Sequence, residues 1–96
     1  MTKTLDLAAQ LDSQAAKSLF DELGKHIGAP LEIRAGKVAF LGAMAVQTLI
    51  SARLQWQSDS VAFSLVEPSE AFFADLTTLG LPPEAVGLTA AMEIAE

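Results

Sequence analysis

Leu31-Glu32-Ile33-Arg34-Ala35-Gly36-Lys37-Val38-Ala39-Phe40-Leu41-Gly42 is the stretch on which the fold turns. Its first five residues alternate apolar and charged side chains, the pattern of a strand with one buried face. Gly36-Lys37 interrupts the run, and Val38-Ala39-Phe40-Leu41 resumes as a buried extended segment. Gly42 then opens a helix with apolar positions Ala43, Val46, Leu49, Ile50 and Leu54. A strand that feeds a helix implies a further strand beyond it, because parallel strands are joined by helical crossovers.

The same alternation continues in both directions. Upstream, Asp12 or Ser13 caps a helix whose stripe is Ala16, Leu19, Phe20, Leu23 and Ile27. Asp21 and Lys25 stand at the favourable i,i+4 spacing on that helix, and Gly28 with Pro30 ends it. Leu5 to Leu11 before it reads as one loosely alternating strand. Downstream, Gln57-Ser58-Asp59-Ser60 is a turn, and Val61 to Val66 is a short apolar strand. Ser69 caps a third helix, Glu70 to Leu79, whose buried side is Phe72, Phe73, Leu76 and Leu79. Gly80 and Pro82-Pro83 stop it, and residues 84–96 form a short helix or a frayed end. The expectation is one α/β domain over residues 1–96, with its core at about 5–86. Its mainly parallel or mixed sheet has three to four strands, covered by three to four helices.

Composition limits the function. The chain has 96 residues, no cysteine and a net charge of -6, with a mean hydropathy of +0.37. Thiol catalysis and thiolate metal sites are therefore excluded, and a cytoplasmic, reducing location is expected. No apolar stretch approaches the roughly 18–20 residues of a membrane span, and the first residues lack a signal core. Residues 1–53 hold all six bases and five acids, whereas residues 54–96 hold seven acids and no base. Such a surface repels phosphate backbones, so a basic protein partner is expected rather than nucleic acid.

Catalytic groups do not converge in the sequence. His26 is the only imidazole, four residues after Glu22, and reads as a solvated helix residue. Gly36-Lys37 lacks both the upstream glycine and the hydroxyl residue of a phosphate loop. Trp56, Phe72 and Phe73 read as packing residues. No catalytic residue, metal ligand or cofactor site is expected. The joint from Phe40 to Val46 carries no charge and no hydroxyl, and Met44 is its one large flexible side chain, suited to an adaptable contact.

Several phrases, in order, resemble the STAS domain, the fold of anti-anti-sigma factors. Leu7-Ala8-Ala9-Gln10-Leu11-Asp12 looks like that family's Leu-x-Gly-x-Leu-Asp opening, with Ala9 where glycine is frequent. Val38-Ala39-Phe40-Leu41 is similar to the strand before its Asp-Ser-Ser-Gly-Leu motif. Val61 to Val66, Glu67-Pro68-Ser69 and Phe73 to Leu81 resemble its final strand and helix. Aligned on Phe40, the motif places Gly42 at the aspartate, Ala43 and Met44 at the serines, Ala45 at the glycine and Val46 at the leucine. The phosphorylatable serine is thus missing, and with it the usual way of adding charge to break a complex.

The resemblance implies a non-catalytic binding module in bacterial signal transduction, without the serine switch. Its partner surface would comprise Gly42, Ala43, Met44, Ala45, Gln47, Thr48 and Ser51, with the first helix nearby. The chain looks like the stand-alone members of chemotaxis clusters, which implies a histidine kinase or an anti-sigma-type kinase as partner. An accessory subunit of a lipid-transport ATPase is the alternative within the family. A sensor that binds a small anion or nucleotide at the amides of the second helix is the alternative from another class.

Overall fold

The computed structural model describes residues 2–87. Its strands are β1 (Lys3–Asp6), β2 (Gln10–Leu11), β3 (Leu31–Arg34), β4 (Phe40–Leu41) and β5 (Phe63–Val66). The helices are α1 (Ser13–Gly24), α2 (Ala43–Ser58) and α3 (Glu70–Thr78), followed by a 3-10 turn at Pro83–Val86. The α/β class holds. All described strand pairings are parallel: a three-stranded sheet ordered β1-β3-β5 and a two-stranded pair β2-β4.

Both connections in the larger sheet step in the same direction. Right-handed crossovers therefore place α1 and α2 on one face, where the two helices pack side by side. The rows Lys3–Leu31–Phe63 and Leu5–Ile33–Leu65 run beneath them. Strand alternation turns Thr4–Glu32–Ser64 and Asp6–Arg34–Val66 to the opposite face. There Arg34 lies 3.7 Å from Asp6 and 3.1 Å from Glu67.

Two extended segments are shorter than the sequence predicts. Leu5 to Leu11 is not one strand, because β1 pairs with β3 and β2 pairs with β4. The partner chain gains Gly36 and Lys37 between these ladders, so the register shifts by two residues and the leading chain bends across Leu7–Ala9. Val38–Leu41 likewise narrows to the two residues of β4. Ser69 occupies the carbonyls that a longer strand would use: its N–H donates to Ala35 and its hydroxyl donates to Val38. The hydroxyl also accepts from the Phe72 N–H, so the predicted cap of α3 ties that helix to the segment that leads into β4.

The helices bury narrower stripes than hydropathy suggests. In α1, Asp12 caps as expected, accepting from the Ala15 N–H at 2.9 Å. Only Ala16, Leu19 and Leu23 are buried, whereas Phe20 and Ile27 are 65% and 56% exposed. The helix ends at Gly24 rather than at Gly28, since Lys25–Gly28 continue as turns. Lys25 consequently approaches Glu22, at 3.8 Å, instead of Asp21. His26 sits in this turn, half-buried, with Nε2 3.5 Å from Glu22, and not on a solvated helix face.

In α2 the buried side is Ala45, Val46, Leu49, Ala52 and Trp56; Ala43 and Leu54 face outward. Apolar residues lie all round this helix, so hydropathy alone does not choose a face. Trp56 does: its indole N–H donates to the Ala29 carbonyl at 2.7 Å, and its ring lies 5.5 Å from that of Phe63. In α3, Phe72 and Leu76 are buried, Phe73 is half-buried and Leu79 is exposed.

After α3, Gly80 adopts the left-handed φ of +77° expected of a stop. Val86 is then buried, and the Gly87 carbonyl accepts from the Leu65 N–H at the outer edge of β5. Of the predicted tail, residues 88–96 lie outside the described residues. Among the described residues, no helix is long and apolar enough to cross a membrane.

Candidate protein-binding surface

The joint between β4 and α2 is clamped from two sides. The Gly42 N–H donates to the Leu11 carbonyl at 2.9 Å, and the Leu41 N–H donates to the Asp75 carboxylate of α3 at 3.0 Å. Gly42 is the N-cap of α2 and supplies no side-chain cap. Its φ of -85° suits any residue, so glycine is required here by space. A Cβ would stand 2.9 Å from the Leu11 carbonyl oxygen and 3.4 Å from the Phe40 ring.

From this joint the predicted contact residues take different places. Ala43, Met44, Gln47 and Ser51 are exposed, Gly42 and Thr48 are half-buried, and Ala45 is fully buried in the core. Ala45 therefore cannot meet a partner: it lies on the sheet-facing side of α2 with Leu49 and Ala52. Met44, Thr48, Ser51 and Gln55 recur at helical spacing along the flank facing α1. The Thr48 hydroxyl donates to the Met44 carbonyl at 2.9 Å, so its hydrogen is already engaged.

Across from that flank, α1 presents Phe20 and Gly24, and the turn after it presents Ile27. The two helices enclose an open groove of about 220 Å³, also lined by Leu23, Ala52 and Trp56 and without a charged residue. At Gly24 a Cβ would meet nothing within 4 Å, so the missing side chain leaves the groove open. Met44, 56% exposed, and Phe40, 44% exposed, extend the apolar surface toward the clamped joint.

The structure thus joins Thr48 and Ser51 to Phe20 and Ile27, two members of the predicted apolar stripe. The position of these two side chains was the available signal. Phe20 sits at the edge of the stripe formed by Ala16, Leu19 and Leu23, and Ile27 lies beyond the end of α1 at Gly24. Chemically, the groove offers aromatic rings, aliphatic side chains and two hydroxyls, with no charged group in its lining. No family model matches the chain, and neither does any curated protein or solved structure.

Proposed function

We propose that the chain is a non-catalytic, STAS-like protein-binding module that docks a signalling kinase through the α1–α2 face, without a serine switch. One observation carries this reading. The face has large exposed apolar side chains (Phe20, Ile27, Met44), yet its groove lining holds no ionisable group. Isolated exposed apolar residues need no explanation, but a connected set beside a groove supports an interaction site. The STAS-like order of phrases supplies the kinase as partner class. Met44 is flexible enough to fit a partner, and Phe20 offers the aromatic anchor that dominates many interfaces.

The test is affinity capture from the native cell with the intact chain and with Met44→Asp and Phe20→Asp. A kinase should be recovered with the native sequence and lost with either variant, since an unpaired charge would be desolvated in the contact. Recovery of a lipid-transport ATPase in its place would favour the alternative within the family. Capture of a kinase equally by all three proteins would move the contact away from this face.

A further inference from the structure

The two outer edges of the main sheet are unlike. At β5 the outward Leu65 N–H is taken by Gly87. At β1 the inward groups are identified by the Lys3 N–H donating to Pro30 and the Leu7 N–H donating to Arg34. In a parallel ladder these alternate, so the N–H and C=O groups of Thr4 and Asp6 point outward. Among the described residues nothing pairs with them. Beside this edge, on the flank of α1 away from α2, lies a second open groove of about 370 Å³. Leu5, Leu7, Leu11 and Leu19 line it, with Glu22 also in its lining.

We propose that two copies of the chain join through β1, antiparallel about a two-fold axis, to form one continuous six-stranded sheet. The occupant follows from register. A two-fold perpendicular to the sheet keeps the helices of both copies on the same side, so residues of like parity must oppose one another. Thr4 then faces Asp6 of the second copy, and Asp6 faces its Thr4, which pairs every outward N–H and C=O of β1. Leu5 meets its own counterpart on the axis, and the apolar row Leu5–Ile33–Leu65 continues unbroken into the second subunit. Of the other like-parity registers centred within β1, Lys3 on Lys3 and Asp6 on Asp6 oppose like charges, and Thr4 on Thr4 sets Leu5 against Lys3 and leaves no apolar pair between the two strands. In the favoured register Lys3 opposes Leu7. It then stands beside the second groove of the facing copy, whose lining includes Glu22, a complementary charge that already lies near Lys25 and His26. The inference is independent of the kinase reading, because this edge lies on the opposite flank of α1 from the α1–α2 groove.

The chain has no cysteine, so a single introduced thiol reports the register directly. In a pair without backbone hydrogen bonds, the Cα atoms of opposed residues lie about 4.5 Å apart, within disulfide range. Leu5→Cys should form a disulfide-linked dimer under mild oxidation, and Thr4→Cys should cross-link at least tenfold more slowly. Sedimentation of the native chain at 100 µM should give twice 10.1 kDa. Thr4→Pro removes an outward N–H but no bond to β3, and should be monomeric with an unchanged far-ultraviolet spectrum. A native chain that sediments as a monomer, faster cross-linking through position 4 than through position 5, or a folded Thr4→Pro dimer would each overturn the proposal.

Discussion

Gly42 shows how one residue reports on a neighbouring element. Its missing Cβ admits the Leu11 carbonyl of β2, so Gly42→Ala should lower the unfolding free energy by about 1–3 kcal/mol in urea titrations, the usual range for overpacking. In the STAS alignment this position corresponds to an aspartate, which would meet the same carbonyl. A polar motif therefore cannot be rebuilt here by substitution at the joint alone. Met44→Asp belongs to a different class, because that side chain is exposed. Its stability should stay within about 0.5 kcal/mol of the native chain, while partner affinity falls at least tenfold. Thr48→Ala removes only the bond to the Met44 carbonyl and should leave partner affinity within about 1 kcal/mol by calorimetric titration. A tenfold loss there would give Thr48 a direct role in recognition.

Ser69 caps α3 and also holds the segment that leads into β4, a double role that Asp12 does not have. Ser69→Ala removes the cap on Phe72 and leaves the Val38 carbonyl without its hydroxyl partner. Thermal and urea unfolding should show a loss of about 2 kcal/mol, against about 1 for Asp12→Ala, whose cap has a single bond. The elements themselves were legible where local chemistry decides them. Asp12, Gly42, Ser69 and Gly80 each mark a helix end where the structure has one. The strand breaks were not legible, since the bend across Leu7–Ala9 answers to Gly36-Lys37 in a partner strand distant in sequence. Nor was the buried side of α2, which Trp56 selects through the Ala29 carbonyl. The α1–α2 groove was half legible. Thr48 and Ser51 belong to the partner surface that the resemblance implies, but Phe20 and Ile27 read as part of one apolar stripe, because periodicity neither separates the edge of a stripe from its centre nor shows that α1 ends before Ile27.

For the whole molecule, the separation of charge from contact predicts how binding responds to salt. The acids Asp59, Glu67, Glu70 and Glu84 are exposed in the second half of the chain, whereas the α1–α2 groove has no ionisable lining. Association with a basic partner should therefore slow as salt rises, while dissociation changes little. Phe20→Ala should do the reverse, and stopped-flow kinetics separate the two effects. The all-parallel topology carries one more consequence, this time for how the chain reaches its native state. Every described ladder joins residues roughly thirty positions apart, with no hairpin to nucleate a sheet locally. During synthesis β1 has no strand to pair with until β3 has left the ribosome, and β3 then awaits β5. Helices α1 and α2 can form within microseconds, whereas the sheet closes only after long loops have been ordered. Refolding should thus be slow for a domain of this size, and its rate should depend on α1–α2 packing more than on any single strand.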